Sequence, residues 1–196
     1  MKEALTPPVL AQLFHDARTV NAFTDQALST EQLHALYDIA KMGPTAFNMQ
    51  PARFVFITTQ AGKEKLKPTL MEGNQAKTMQ APLTVIVAYD TNFQEHLPVQ
   101  FPAMDVKGMF DANPELTATA AFRNGSLQGA YLMIAARALG LDCGPMSGFD
   151  NAAVDAAFFA DGRFKSNFIV NIGHGVAESS YPRGPRLSFE QAVTLA

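Results

Sequence analysis

The chain has few of the residues that mark a secreted, membrane-spanning or nucleic-acid-binding protein. Its 196 residues include one cysteine, Cys143, so a disulfide within the chain is impossible. The formal net charge is −3, which leaves no basic surplus to attract nucleic acid. The N-terminus "MKEALTPPVL" lacks the apolar core of a signal peptide, and no apolar run approaches the roughly 20 residues that span a bilayer. We expect a soluble, cytoplasmic protein.

Signatures of direct side-chain catalysis are missing too. The four histidines show no metal-ligand spacing and lie at positions 15, 34, 96 and 174. No GxxxxGK phosphate loop and no GxGxxG motif occurs. Ser147 in "GPMSGFD" lacks the GxSxG elbow of hydrolases. We therefore expect no metal site and no catalytic side chain, so an enzyme of this sequence would take its reactivity from a bound cofactor.

Several segments have the periodicity and the end signals of helices. "STEQLHALYDIAKMGP" begins at Ser29 with capping-box spacing and stops at Gly43-Pro44. Residues 115 to about 140 predict one long helix, and its small residues would let another backbone approach closely, in a core or in a dimer. A short helix is predicted to end at Gly73, and further helices are predicted to begin at Asp150 and Ser188.

Three apolar segments predict strands: "RFVFITT", "APLTVIVAY" and "FKSNFIVNIGHG". The second is almost continuously apolar, as expected for a central strand that is buried on both faces. Because helices do not alternate regularly with these strands, the sequence favours an α+β fold over a doubly wound Rossmann sheet. Residues 91–114 are rich in proline and phenylalanine and predict an irregular insertion, either a flap over a pocket or a packed surface excursion.

Some polar residues have the chemistry to bind a flat, phosphorylated ligand. Arg18 and Arg186 are suited to phosphate because a guanidinium group binds it through two parallel hydrogen bonds, and Thr19 adds a neutral hydroxyl donor. "EGNQAK" offers Asn74 as a donor and acceptor and Lys77 as a cation, although a helix C-cap is the simpler interpretation of this segment. "GPMSGF" could bring backbone N–H groups close to a ligand, since a glycine has no Cβ, or it could be an ordinary tight turn.

These segments, in this order, resemble the FMN-dependent nitroreductase family over nearly the whole chain. "ARTVNAF" is similar to the family's N-terminal phosphate motif, and "GPTAFNMQP" is similar to its Pro-Ser-Ser-x-Asn-x-Gln-Pro loop. "DART", "FRNGSLQGAYL", "GPMSGFD" and "FKSN" further resemble the branch labelled malonic semialdehyde reductase, or 3-hydroxypropionate dehydrogenase, of pyrimidine degradation. The family's first arginine is replaced by Ala17 and its later basic residue by Asn21, so Lys77 or Arg183 would have to compensate.

The resemblance implies a nitroreductase-like α+β fold, with a central, mostly antiparallel sheet flanked by helices. Residues 1–196 would form a single FMN-binding domain with N- and C-terminal arms, intertwined in a homodimer with FMN at the subunit interface. NADH or NADPH would pass hydride to flavin N5, and malonic semialdehyde would then be reduced to 3-hydroxypropionate in a ping-pong reaction. A broad nitroaromatic or quinone reductase, a non-catalytic flavin-binding module and a helical interaction protein remain alternatives.

The resemblance also assigns site residues. Arg18, Thr19 and Arg186 would hold the FMN phosphate, and Asn74 would face the pyrimidine edge of the ring. Ser147 and Gly148 would lie beside flavin N5. The partner subunit would contribute the residues that pack on the ring: Pro44, Thr45, Ala46 and Asn48. For a carboxylated acceptor, Arg123 and Lys107 are the candidate cations.

Overall fold

A four-stranded antiparallel sheet forms the centre of the protein, whose computed structural model describes residues 3–196. The strands are β1 (Ala52–Ile57), β2 (Leu83–Asp90), β3 (Asp142–Met146) and β4 (Phe164–Gly173). The helices are α1 (Pro7–Leu10), α2 (Thr30–Ala40), α3 (Gln60–Leu66), α4 (Glu72–Gln80), α5 (Leu97–Gln100), α6 (Lys107–Asp111), α7 (Pro114–Ala138), α8 (Asn151–Phe158) and α9 (Phe189–Ala192). A π-helical turn, Ala11–His15, continues α1.

The order of strands across the sheet is β1-β2-β4-β3, and each neighbouring pair is antiparallel. Along β2, Phe54 of β1 lies opposite Val87, and Ile169 of β4 lies opposite Ile86. The sequence-based expectation of an α+β fold with a mostly antiparallel sheet is confirmed. Within residues 3–196, no helix combines the length and the apolar character needed to cross a bilayer.

The central strand β2 is buried on both faces, as its apolar run predicted. Val85 and Val87 pack into a cluster with residues of α2 and α7 on one face of the sheet. Ile86 and Ala88 pack into a second cluster with residues of α3 and α8 on the other face. Helices therefore cover both faces of the sheet, and successive side chains of β2 point alternately towards one helical layer and the other.

The long helix α7 crosses the first of these faces, and its small residues lie where it meets the sheet. A Cβ atom at Gly129 would lie 2.5 Å from Cζ of Phe168 in β4 and 3.0 Å from Cγ1 of Val87. The glycine thus sets how closely α7 approaches the sheet. The small residues of α7 around Gly129 therefore pack in the core of the chain, which is one of the two locations, core or dimer, that the sequence predicted.

Local end signals were reliable predictors of helices. Ser29 and Ser188 each complete a capping box, and the Asp150 side chain accepts a hydrogen bond from the Ala153 amide.

The prediction of a helix end at Gly73 is wrong. Gly73 lies in the first turn of α4, whose N-cap Met71 makes no side-chain cap, so the sequence carries no local start signal. The strand β3 was also missed, because it contains Gly144 and Pro145, which are rare inside strands.

The segment 91–114 is built largely of short helical pieces: Phe93–His96, Leu97–Gln100 and Lys107–Asp111. Phe93 and Phe110 are buried against Met49, so the segment packs on the loop before β1. Its start is fixed by buried Asp90, which accepts hydrogen bonds from Arg53 at 2.8 Å and from Arg163 at 3.1 Å. The segment is therefore held at its base, and its action as a flap stays a prediction.

The N-terminal segment runs beside β3 at the edge of the sheet. The Val20 amide donates to the Cys143 carbonyl at 3.1 Å, and Thr19 forms a parallel bridge to Cys143. A Cβ atom at Gly144 would lie only 2.6 Å from the Val20 backbone oxygen, so only glycine permits this approach. Burial raises the pKa of the Cys143 thiol to about 12, which indicates a packed, unreactive side chain.

We predict that Gly144→Ala lowers the free energy of unfolding by about 1–3 kcal/mol, because the new methyl group must displace backbone atoms. Gly108→Ala in α6 is the control, since a Cβ there meets no atom within 4 Å. The control is expected to be neutral or stabilising by up to about 1 kcal/mol. Urea unfolding of the two variants measures both effects, and equal stabilities would contradict the close approach of Val20 to β3.

Candidate functional site

Arginine side chains from three distant parts of the sequence converge on one cavity of about 360 Å³. Arg18 follows the N-terminal helical turns, and Arg137 lies in the last turn of α7. Arg183 and Arg186 come from the segment before α9. Thr19 adds a hydroxyl group, and Phe14 and Tyr181 add aromatic walls. The cavity therefore presents four guanidinium groups and a neutral donor.

All four arginines donate to backbone carbonyls, and two of them, Arg183 and Arg137, reach carbonyls of a distant segment. Arg183 donates to the carbonyl oxygens of Phe14 at 3.0 Å and Ala17 at 2.9 Å, and also to that of His15. Arg137 donates to the carbonyl oxygen of Leu13 at 3.0 Å. These bonds join the C-terminal segment and α7 to the end of the N-terminal helical turns, where unsatisfied carbonyls accumulate. The cavity is thus assembled by side chains that reach across the chain.

The Asp16 carboxylate lies near Arg183 and offsets the positive charge of the cavity only in part. Among residues 3–196, none of the four arginines takes part in an ion pair. Partial shielding from solvent, and then the positive charges of the other three arginines, lower the pKa of Arg183. Guanidinium groups that repel one another in a shared cavity favour an anion of two or more oxygens, and phosphate fits this geometry.

A second polar cluster lies at the far end of β3. The Asn74 side-chain amide donates to the Gly148 carbonyl oxygen at 2.8 Å, and the Met71 amide donates to the same oxygen at 3.0 Å. A Cβ atom at Gly148 would lie 2.5 Å from Nδ2 of Asn74, so a larger residue would displace the Asn74 side chain. Ser147 is exposed beside them, and Lys77 lies one helical turn beyond Asn74 in α4.

β3 connects the two clusters. Its Cys143 end contacts Thr19 of the arginine cavity, and its Met146 end leads directly to Ser147 and Gly148. Three extended residue steps separate Cys143 from Met146, which is roughly 10 Å. An elongated ligand with an anionic end and a polar, flat end could therefore lie along the edge of the sheet.

The loop before β1 is a strained third element. Phe47, Asn48 and Gln50 have φ angles of 50°, 49° and 40°, in the left-handed region that residues other than glycine seldom adopt. The Asn124 side chain of α7 accepts a hydrogen bond from the Ala46 amide at 2.9 Å, and Thr45 Oγ1 accepts one from the Gln50 amide at 3.2 Å. Such strain persists where surrounding contacts fix it, and it clusters at functional sites.

This loop lines a different space from the first two clusters. Pro44, Thr45 and Ala46 border a groove of about 620 Å³ against α7 and α6. Asn48 donates from Nδ2 to the Gln100 carbonyl oxygen at 3.0 Å, which joins the loop to the segment 91–114. Within one chain, the loop residues therefore stand apart from Asn74 and Gly148.

The structure brings together most of the residues that sequence reasoning had grouped. Arg18, Thr19 and Arg186 line one cavity, and Asn74, Ser147 and Gly148 form another cluster. Arg183 joins the first group, whereas Lys77 does not line that cavity. Asn21 instead binds Ser179 through its side-chain amide at 3.1 Å.

Arg137 was missed as a site residue. Its position in the sequence gives no functional signal, because a cation in the last turn of a helix is an ordinary complement to the helix dipole. Only the packing of α7 against the N-terminal turns directs its guanidinium group to the cavity.

Comparison with known proteins assigns the chain to a family. The Nitroreductase family model matches residues 16–174, and the chain belongs to this family. Its relatives include proteins of Xanthomonas oryzae pv. oryzae (strain PXO99A) and Stenotrophomonas maltophilia (strain R551-3), both provisionally named NADH dehydrogenase/NAD(P)H nitroreductase. The first is 60% identical over 193 residues and covers 98% of both chains. The second is 56% identical over 196 residues and covers 100% of both chains.

Solved structures share the fold. A protein of Exiguobacterium sibiricum 255-15, provisionally named a nitroreductase and solved in complex with FMN, superposes with a TM-score of 0.86. It covers 100% of both chains at 22% sequence identity. This similarity confirms the nitroreductase-like fold that the sequence predicted.

We predict that inorganic phosphate stabilises the protein through the arginine cavity. Phosphate at about ten times its Kd would add ~1.4 kcal/mol to the free energy of unfolding and raise the Tm by about 3–6 °C. Arg18→Gln and Arg186→Gln should each reduce this shift, because each removes a charged donor. Lys67→Gln removes an exposed cation outside the cavity and should leave the shift unchanged. A shift that chloride reproduces at equal ionic strength, or that survives in both cavity variants, would exclude a phosphate site.

Proposed function

We propose that the protein is an FMN-dependent NAD(P)H oxidoreductase that reduces a small acceptor. The observation that carries this proposal is the convergence of four arginines, none of them in an ion pair among residues 3–196, and of Thr19 on one cavity beside β3. The relatives' shared name, NADH dehydrogenase/NAD(P)H nitroreductase, supports the nicotinamide as the electron donor. The complex of the Exiguobacterium protein with FMN supports the flavin.

The residues present fit FMN from its phosphate to its ring. Arg18, Arg186 and Thr19 would bind the phosphate, with Arg183 holding the C-terminal segment against the N-terminal turns. Asn74 and the amide groups of Ser147 and Gly148 would meet the polar edge of the ring. Gly148 would let Asn74 keep this position, since a larger residue would displace its side-chain amide.

Bound FMN would supply the redox chemistry by accepting hydride from NAD(P)H and passing it to the acceptor. The protein's residues would contribute binding and alignment, which can lower a barrier substantially when reacting atoms are held at about 3–3.5 Å. Backbone and Asn74 donors would stabilise negative charge at the edge of the ring. No nucleophilic side chain is required in this scheme, and water would supply the proton that completes the reduction of the acceptor.

We propose a homodimer, because the strained loop lines a separate groove from the Asn74 cluster within one chain. A second copy could place Pro44, Thr45, Ala46 and Asn48 against the ring. Exposed apolar residues support such a partner. Leu127 and Tyr131 on α7 are 47% and 38% exposed, and Leu187 and Leu195 near the C-terminus are 72% and 84% exposed.

The branch resemblance supports malonic semialdehyde as the acceptor and 3-hydroxypropionate as the product. The groove beside the strained loop supports a second candidate. Its volume of about 620 Å³ is larger than a three-carbon acid needs. Its walls are largely apolar and include Phe47, Met109, Phe110 and Leu127. These walls suit a flat nitroaromatic or quinone acceptor.

The visible spectrum of the purified protein tests the proposed function. We expect a flavin spectrum that NADH or NADPH bleaches without oxygen and that an acceptor restores. Arg18→Ala and Arg186→Ala should weaken FMN binding by about 1.5–3 kcal/mol, the range of a charged hydrogen bond. Comparing malonic semialdehyde with a nitroaromatic compound and a quinone then ranks the acceptors.

Each alternative has its own result in that experiment. A colourless protein without FMN affinity would indicate an interaction protein. Flavin that neither nicotinamide reduces would indicate a non-catalytic binding module. Full FMN retention in both arginine variants would remove these residues from the site.

Sedimentation analysis tests the dimer. We expect a mass of two chains, and Leu127→Glu should shift the equilibrium towards one chain by placing a charge on an apolar contact. Glu115→Gln at the start of the same helix serves as the surface control. A monomer that retains FMN and reacts with NAD(P)H would overturn the shared site.

A further inference from the structure

One arginine interrupts an apolar stripe on the groove side of α7. Leu116, Ala120, Arg123 and Leu127 are spaced at i, i+4, i+7 and i+11, so they share one helix face, and all of them line the groove. Phe47, Met109 and Phe110 form other walls of the groove. Arg123 is therefore a single charge in the middle of an otherwise apolar surface, where the helical pattern would favour another apolar residue.

The charge of Arg123 is not neutralised within the chain. Over the described range, 3–196, its guanidinium group makes neither an ion pair nor a hydrogen bond. In contrast, Lys107 of α6 binds Asp111, and elsewhere in the fold Arg53 and Arg163 both bind Asp90. Lys107, the other candidate for a substrate carboxylate, is thus already occupied.

The backbone beside Arg123 is fixed relative to the strained loop. Asn124 is 4% exposed, donates to the Ala120 carbonyl oxygen at 2.9 Å and accepts from the Ala46 amide at 2.9 Å. These bonds use both ends of the Asn124 side chain. They hold the loop and the turn of α7 that carries Arg123 as one unit, so the backbone of Arg123 has a fixed position beside the groove.

We propose that this groove binds an acceptor that is flat and apolar and carries a carboxylate, which pairs with Arg123. The guanidinium fork matches a carboxylate in two parallel hydrogen bonds, and the groove volume of about 620 Å³ accommodates a substituted aromatic ring. The inference rests on the proposed function, because the same loop is the one proposed to contact the flavin. Arg123 selects the class of acceptor by its charge and does not take part in electron transfer.

Two nearly isosteric ligands test this inference: 4-nitrobenzoate and its uncharged analogue 4-nitrobenzamide. Calorimetry on the protein as purified, without nicotinamide, measures the affinity for each. The wild-type protein should bind the carboxylate about 10- to 100-fold more tightly, the range of a charged hydrogen bond. Arg123→Gln should bind both equally, with unchanged affinity for the amide, and Arg123→Lys should retain part of the preference.

Lys107→Gln is the matched control, because it removes one positive charge from α6 without altering the groove lining. Its preference for the carboxylate should equal that of the wild type. A preference that persists in Arg123→Gln, or that falls equally in Lys107→Gln, would overturn the inference, as would a wild-type protein that binds the two ligands equally or binds neither.

Failure of the proposed function would give a different result. It would leave FMN unbound or unreduced by NAD(P)H, whereas the binding comparison needs no turnover. If the flavin reacts, the ratio of kcat/KM for the same two acceptors gives a second readout, which should fall about 10- to 100-fold in Arg123→Gln through the carboxylate alone.

Discussion

Electrostatic repulsion among four guanidinium groups is the constraint on which the proposed site depends. Hydrogen bonds to backbone carbonyls position Arg183 and Arg137, but those carbonyls carry no full negative charge. The arrangement therefore holds like charges together at a cost that an anion would offset. A phosphate group would both offset part of this charge and fasten the N-terminal turns, the end of α7 and the C-terminal segment to one another.

The edge strand β3 links this anion site to the polar cluster of Asn74 and Gly148, and a cofactor could occupy both. Gly144 lets the Val20 backbone approach closely, which places Arg18 and Thr19 at one end of the strand. Gly148 lets Asn74 approach at the other end. The two glycines thus determine where the anionic end and the ring end of a ligand can lie. In contrast, Asn124 fixes the strained loop beside a separate groove, and in our proposal a second copy of the chain completes the ring contact.

The parts of the fold that local chemistry determines could be predicted from the sequence. Ser29, Asp150 and Ser188 are helix caps whose hydrogen-bond partners lie three residues further along the chain. The continuous apolar run of β2 predicts that this strand is buried on both faces. The parts that were missed depend on contacts between distant residues. Gly144 disfavours a strand locally but is needed because Val20 lies against it. Arg137 resembles a routine helix-end cation until α7 packs on the N-terminal turns.

The most direct test of the account is a crystal structure of the protein grown with FMN. The account predicts the flavin phosphate within hydrogen-bond distance of the guanidinium groups of Arg18 and Arg186 in one chain. It also predicts the ring between Asn74 of that chain and the loop at residues 44–48 of a second chain. A phosphate bound outside the arginine cavity, or a ring enclosed by one chain alone, would contradict it.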